Sequence, residues 1–255
     1  MSEVTFNFSG KNFAVVGASS GMGRQIALEL AEAGAHVLAI ARNEERLKAV
    51  KDQYPELIDY KQLDVTTATD EDWDQVVGEF VKAHGKLNGE VYTSGVTLTV
   101  PLKFYYESEA KKLMDVNFWG AVKSLQIMSR KKFAAEGSSY VLFSSTAGAA
   151  CDKGLAFYAA SKSALMAAMR SFCHDLSERR HRVNTISPGW VNTNMTDKAL
   201  FDEGKHDRLI EHHLLGTGEP DDVSGMVLFL LSNRAKWITG EDFVLDGGAL
   251  KGAFA

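Results

Sequence analysis

FAVVGASSGMGRQIALELAEAG, residues 13–34, passes from an apolar run through three closely spaced glycines into an amphipathic segment. The run at 13–17 is β-branched and short, the pattern of a buried strand. From 24 to 33, Ile26, Ala27, Leu30 and Ala33 recur at helical spacing, and Gly34 supplies the stop. Between them lies Gly17-Ala18-Ser19-Ser20-Gly21-Met22-Gly23. Glycines let a backbone turn sharply and approach a pyrophosphate, and the helix that follows offers free N–H groups and a positive dipole end. The spacing GxxxGxG departs from the commoner GxGxxG, so the strand before it and the helix after it carry the reading of a dinucleotide turn.

The same alternation continues on the C-terminal side. HVLAIA (36–41) predicts a second strand, NEERLKAV a second helix, and residues 58–65 a third strand closing at Asp64. A helix over 70–83, a strand near 90–93, helices across 108–133 and the strand YVLFSS (140–145) follow. A long helix over 156–178, the strand RVNTIS before Pro188, a helix after Pro220 and a last strand FVLD (243–246) complete the pattern. Strands alternating with helices predict an α/β fold, a doubly wound Rossmann-type parallel sheet of about seven strands with helices on both faces. No linker or repeat breaks it, so residues 1–255 are read as one domain.

Composition agrees. Of 255 residues 45% are hydrophobic and 24% charged, and 22 glycines stand beside 4 prolines, which excludes disordered and fibrous classes. A formal net charge of −5 gives no footprint for nucleic acid. No apolar stretch is long enough for a membrane span, and MSEVTFNFSG has neither the basic nor the apolar region of a secretory signal, so a cytoplasmic location is expected. Cys151 and Cys173 lie in no metal or redox spacing and read as reduced packing residues. His212-His213 and His174 lack HExxH spacing and read as surface polar residues, so no metal is expected.

Which dinucleotide binds depends on the end of the second strand, where an acid would bond the ribose 2′-hydroxyl and a base would accept a 2′-phosphate. Here Ala41-Arg42-Asn43 has no carboxylate, and the Arg42 guanidinium suits a phosphate, which favours NADP(H) over NAD(H). Asp64 is open to two readings, acceptor from an adenine amino group or cap of the next turn. Tyr158 and Lys162, four apart on the long helix, share one face, and a fixed ammonium lowers the pKa of a nearby phenol. Ser145, at the end of a strand whose carboxyl edge faces the glycine turn, can hold a substrate oxygen.

These segments together resemble the short-chain dehydrogenase/reductase family over nearly the whole chain. VGASSGMG (16–23), LDV (63–65), Asn117 in DVNFWG, SSTAG (144–148), YAASK (158–162), PGWVNT (188–193) and ITGEDFVLDGG (238–248) fall in family order. The resemblance implies Tyr158 as general acid in carbonyl reduction and Lys162 as the group that lowers its pKa and holds the nicotinamide ribose. It implies Ser145 as positioner of the carbonyl and Asn117 as anchor of a water relay. It implies cofactor contacts from Gly17, Ser19, Ser20, Gly21, Met22, Gly23, Arg42, Asp64 and Val65. Ser94, Gly95, Pro188, Gly189, Val191 and Thr193 complete that set, the last two toward the nicotinamide carboxamide. Two departures stand out: Val16 replaces a threonine, and Thr93-Ser94-Gly95 replaces Asn-Ala-Gly. Thr93 still offers one hydroxyl, so an altered local hydrogen-bond network with the cofactor site retained is expected.

Among branches of the family, PGWVNTNMT and FLLSNRAKWITGEDFVLDGG are similar to the bacterial 3-oxoacyl-[acyl-carrier-protein] reductases. That implies a ketone substrate, with oxoacyl thioesters the first class to consider and a carrier protein as a conceivable bearer. Residues 195–218, with Phe201, Leu209, Ile210, Leu214 and Leu215, read either as an apolar substrate lid or as packing. Arg130, Lys131, Lys132, Arg179 and Arg180 read either as a docking patch for an acidic carrier or as solvated helix faces. Ala156, Ala160, Ala164, Ala167 and Ala168 form a small-residue face for a homodimer or homotetramer, or for packing within the chain. The alternatives are a secondary-alcohol, sugar or steroid-type dehydrogenase on the same fold and a noncatalytic NADP-binding regulator. The chain is too short after its last strand for the separate substrate domain of the larger extended branch.

Overall fold

The computed structural model describes residues 4–151, 153–197 and 212–252. Seven parallel strands form one sheet in the order β3-β2-β1-β4-β5-β6-β7. They are β1 (Asn12–Val16), β2 (His36–Ala41), β3 (Ile58–Gln62), β4 (Leu87–Tyr92), β5 (Ala134–Phe143), β6 (Arg182–Pro188) and β7 (Asp242–Leu245). The main helices are α1 (Gly21–Glu32), α2 (Glu44–Lys51), α3 (Asp70–His84), α4 (Glu107–Met114), α5 (Gly120–Met128), α6 (Ala156–Asp175) and α7 (Pro220–Leu231).

Alternation along each buried strand feeds two cores. Phe13, Val15, Val37 and Ala39 pack with Ile26 and Leu30 of α1, Leu47 of α2 and Val227 of α7. Ala14, Val16, Leu38 and Ile40 point to the other face, against Trp73 and Val77 of α3, Leu125 of α5 and Leu165 of α6. Fully burying one such leucine or isoleucine contributes roughly 1.5–3 kcal/mol. One acid lies inside: Glu90 of β4 is fully buried, accepts from the Ser124 hydroxyl at Oε1, and has no partner at Oε2. Burial pushes its carboxyl up to about 8, against the pull of that hydroxyl.

The chain winds outward through β1, β2 and β3, then returns to lay β4 on the other side of β1. The resulting reversal between β1 and β4 opens a crevice beyond their carboxyl ends, the ordinary ligand position in such sheets. Element boundaries differ from the sequence expectation where side chains intervene. α1 begins at Gly21, inside the glycine turn, and not at residue 24. β3 stops at Gln62, because the Asp64 carboxylate takes the Thr66 N–H (2.9 Å) and hydroxyl (2.7 Å) and turns the chain. β5 stops at Phe143, so Ser145 stands beyond the strand and caps a 3-10 turn, its hydroxyl accepting from the Ala147 N–H at 3.2 Å.

α4 and α5 are joined by a π-helical segment, Asp115–Trp119. The Tyr92 hydroxyl donates to the Val116 carbonyl there at 2.7 Å. Among the described residues no helix is long and apolar enough to cross a membrane. His213 is buried, not a surface residue, and its Nε2 accepts the Trp190 N–H at 3.1 Å.

Candidate active site

The glycine turn leaves β1 with the Gly17 and Ala18 N–H groups both donating to the Ile40 carbonyl (2.8 and 3.2 Å). Three of its glycines are required by space or conformation. Gly17 has φ +96°, and a Cβ there would lie 2.5 Å from the Thr93 hydroxyl and 2.7 Å from the Ser94 nitrogen. A Cβ on Gly23 would run into the Gly17 carbonyl oxygen and the Thr93 hydroxyl. Gly21 has φ +52° and faces the Thr193 side chain, so the turn meets the loop after β6.

Ser20 stands at the N-cap of α1 without making a side-chain cap, and the first turn holds no acid, whereas Asn43 caps α2 and Thr69 caps α3. The first N–H groups of α1 therefore face the crevice uncapped by any side chain, which fits a phosphate in that position. Ser19 and Ser20 are half-buried beside them, while the Met22 side chain packs into the core below.

Thr93 settles the two departures noted in the sequence. Its N–H (2.8 Å) and its hydroxyl (2.9 Å) both donate to the Val16 carbonyl, so one residue ties β4 to β1 directly between the two departures. Gly95 follows, and a Cβ on it would lie 3.4 Å from Lys162 Nζ and 3.5 Å from Asn117 Oδ1. The structure thus brings β4's end, the π segment and α6 together at one point.

Asn117 is completely buried. Its Oδ1 accepts the Val96 N–H (2.8 Å), and its Nδ2 donates to the Val96 carbonyl (2.9 Å) and to the Ser161 hydroxyl (3.0 Å). Both Nδ2 hydrogens are thus taken, and Oδ1 keeps one acceptor site beyond the Val96 N–H. Val96, Ser161 and Phe143 were not singled out from the sequence, because two of them contribute only backbone atoms, which no residue type reveals.

Lys162 is buried and donates from Nζ to the Phe143 carbonyl at 2.7 Å. Burial brings its pKa down to about 8. Its Nζ sits 5.8 Å from the centre of the Tyr158 ring. Tyr158 is half-buried, and burial raises its phenol pKa, with a hydrogen bond to Ser145 pulling the other way. In this arrangement burial acts first on both groups, against the ammonium of Lys162 and for the neutral phenol of Tyr158.

Arg42 leaves β2 into solvent, its side chain 67% exposed, with NH1 4.0 Å from Asp64 Oδ2. Burial works against ionisation of Asp64, but the Thr66 N–H and hydroxyl, and then Arg42, hold its carboxyl below the ordinary value. The turn-capping reading of Asp64 is therefore borne out, and the carboxylate still edges the crevice. Val65 packs against Gly120 of α5. Pro188 closes β6 and accepts the Thr146 hydroxyl at 3.3 Å, and the Gly189 N–H donates to the Leu245 carbonyl at 2.9 Å. Val191 is buried and bridges to Gly218, and the Thr193 N–H donates to the Thr196 hydroxyl at 2.8 Å.

Three peripheral expectations resolve unequally. In the lid segment, Phe201, Leu209 and Ile210 lie outside the described residues, while Leu214 and Leu215 are 65% and 88% exposed. In the basic patch Arg130 pairs with Asp70 and Asp74 and Lys132 with Asp74, while Arg179 donates to the neutral Ser129 and Ala134 carbonyls and Lys131 and Arg180 form no ion pair among the described residues. On the alanine face Ala156, Ala160 and Ala167 are exposed, while Ala164 and Ala168 are partly buried within the chain.

A doubly wound sheet with a glycine turn at its switch point and Ser, Tyr and Lys gathered beside it defines a dinucleotide-type oxidoreductase scaffold. The family model described as enoyl-(acyl carrier protein) reductase matches residues 17–249. The 3-oxoacyl-[acyl-carrier-protein] reductase FabG of Staphylococcus aureus is 31% identical over 240 residues, 93% of this chain and 97% of that protein. The protein of the same name from Rickettsia conorii is 31% identical over 256 residues, 96% of this chain and 98% of that one. Among solved structures, a short-chain type dehydrogenase/reductase from Mycobacterium ulcerans superposes with TM-score 0.89 at 28% identity, covering 96% of this chain and 92% of that one. A Brucella melitensis protein named short-chain dehydrogenase/reductase SDR: glucose/ribitol dehydrogenase gives TM-score 0.89 at 25% identity, covering 96% and 99%. The chain belongs to the short-chain dehydrogenase/reductase family of oxidoreductases.

Proposed function

We propose that this chain is a cytoplasmic, NADP(H)-dependent reductase of ketones, with 3-oxoacyl thioesters as the first substrate class and residues 1–255 acting as one domain. The observation that carries the reading is the meeting of the Tyr158 phenol and the Ser145 hydroxyl beside Lys162, at the edge where the uncapped start of α1 opens. Two hydroxyls converging on one point suit a carbonyl oxygen, whereas C=C reduction delivers its proton to carbon. The names of the curated relatives support the same substrate class.

A bound nicotinamide dinucleotide would supply the hydride. The residues present fit it: Gly17, Ser19, Ser20, Gly21, Met22 and Gly23 would cradle the pyrophosphate on α1, and Arg42, exposed and only loosely paired, would take a 2′-phosphate. Asp64 and Val65 would border the adenine, Ser94 and Gly95 the middle of the crevice, and Pro188, Gly189, Val191 and Thr193 the nicotinamide end. Lys162 makes one hydrogen bond from Nζ, which leaves donors for ribose hydroxyls. Ser145 orients the carbonyl oxygen and Tyr158 gives it a proton. The phenol, raised by burial, carries at neutral pH the proton that this step transfers. Asn117 fixes Val96 and Ser161 and thereby the loop that closes the site. The exposed alanine face of α6 is assigned to a homodimer or homotetramer contact.

The test is NADPH oxidation, and separately NADH oxidation, against an acetoacetyl thioester, simple diketones and keto sugars. Turnover of the thioester with NADPH supports the reading. Turnover confined to keto sugars would shift it to a sugar dehydrogenase, in line with the name of the Brucella melitensis protein. Cofactor binding without turnover of any carbonyl would leave a regulator.

A further inference from the structure

At the opposite end of the sheet from the crevice, the amino ends of β1, β4, β5 and β6 and the segment before β7 enclose a cleft of about 1080 Å³. Five cationic side chains line it, Lys11, Arg180, Arg182, Arg234 and Lys236, against one carboxylate, Glu136. None of the five forms an ion pair among the described residues. The whole chain is acidic, so this concentration runs against the overall balance.

Two groups in the wall make the imbalance costly. Arg182 is 8% exposed and donates only to main-chain carbonyls, those of Leu230 (2.6 Å), Ser232 (3.3 Å) and Ile238 (3.4 Å), so its charge is buried without a counter-ion. His181, 3% exposed, accepts the Ser138 N–H at Nδ1 (3.1 Å), which places its proton on Nε2, and that atom is buried without a partner. Arg180 beside it takes a left-handed backbone (φ 55°), the one non-glycine residue of the described chain to do so, and its side chain is exposed at the cleft. At the rim Trp237 is 96% exposed, an aromatic face open to solvent.

We propose that this cleft is a binding site for a small phosphorylated anion, its phosphoryl groups held by Arg180, Arg182, Arg234 and Lys236. Guanidinium forks match phosphate oxygens in pairs, and an anion there supplies the counter-charge that Arg182 lacks. The site lies apart from the crevice and does not depend on the reading of the crevice. Two sources share this chemistry, an inorganic polyphosphate and a nucleotide whose base stacks on Trp237.

The experiment is calorimetric titration of the full-length protein with pyrophosphate and with ADP, at constant ionic strength and with saturating NADPH occupying the crevice. Truncating buried Arg182 endangers the fold, so the variant is the exposed pair Arg234→Ala/Lys236→Ala. Saturable pyrophosphate binding that weakens about tenfold or more in the double variant, with the rate of NADPH oxidation unchanged, is the expected result. ADP binding tighter than pyrophosphate, with the advantage lost in Trp237→Ala, assigns a nucleotide; equal binding assigns an inorganic ligand. Absence of saturable binding by the wild type, or binding that the double variant leaves intact, overturns the site.

Discussion

Replacing Arg42 by alanine tests the cofactor assignment at its most exposed point. The guanidinium stands at the end of β2, two-thirds in solvent, with only a 4.0 Å approach to Asp64 to hold it. A hydrogen-bonded contact to a charged group contributes about 1.5–3 kcal/mol when shielded, and exposure reduces that to roughly 1–2 kcal/mol. A second effect adds to it. Asp64 is kept ionised by Thr66 as well as by Arg42, so removing the arginine leaves a carboxylate facing the 2′-phosphate, a repulsion of up to about 1 kcal/mol in high dielectric. Together these give roughly 2 kcal/mol, a loss of about 30-fold in kcat/KM for NADPH. NADH has no 2′-phosphate, so its kcat/KM should stay within about threefold, and Arg42→Lys should keep part of the NADPH preference as a point charge. The assay is initial rates with each cofactor, repeated at high salt, where the gap should narrow. Equal losses for both cofactors, or an unchanged NADPH rate, would refute the assignment of the 2′-phosphate to Arg42.

Three further outcomes follow from the geometry. Tyr158→Phe should lower kcat about 10²–10⁴-fold while NADPH still binds, as followed by cofactor fluorescence; a kcat within threefold of wild type would remove Tyr158 as proton donor. Gly23→Ala sets a methyl against the Gly17 carbonyl and the Thr93 hydroxyl, so denaturant unfolding should register about 1–3 kcal/mol of destabilisation together with weakened cofactor binding. Glu90→Gln reports on the buried acid. Its folded carboxyl lies at about 8 against an ordinary 4.5, so between those values only the unfolded chain ionises and stability falls as pH rises, by roughly 1.4 kcal/mol per pH unit. Below about 4.5 the penalty vanishes and above about 8 it is complete, so the stability gained by the glutamine variant should grow across that window; parallel curves for the two proteins would contradict it.

The fold was legible because strands buried on both faces carry continuous apolar runs, and the helices between them keep one apolar stripe. β2 matched its expected bounds to the residue, its apolar run ending at Ala41 just before Asn43 caps α2. β3 and β5 did not, because Asp64 and Ser145 end them by taking backbone N–H groups, an event that strand periodicity does not register. The site was legible where side chains act, in the glycine turn and in Tyr158, Lys162 and Ser145. It was opaque where backbone acts: the Val96 peptide that clamps Asn117, and the Phe143 carbonyl that holds the Lys162 ammonium. The cleft at the amino ends of the strands escaped for a related reason, since its five cations come from three separate stretches of chain and form no run.

The π segment between α4 and α5 works as a phase shifter. One residue more than a regular turn requires rotates everything downstream by about 100° relative to everything upstream. Asn117, inside the segment, reaches Val96 at the crevice, and Ser124, seven residues on, faces Glu90 in the interior. Two inward-facing polar groups, each serving a different part of β4 and the loop after it, thereby share one continuous rod. The rod that places the asparagine at the crevice is thus the same one that carries a hydroxyl to the buried acid.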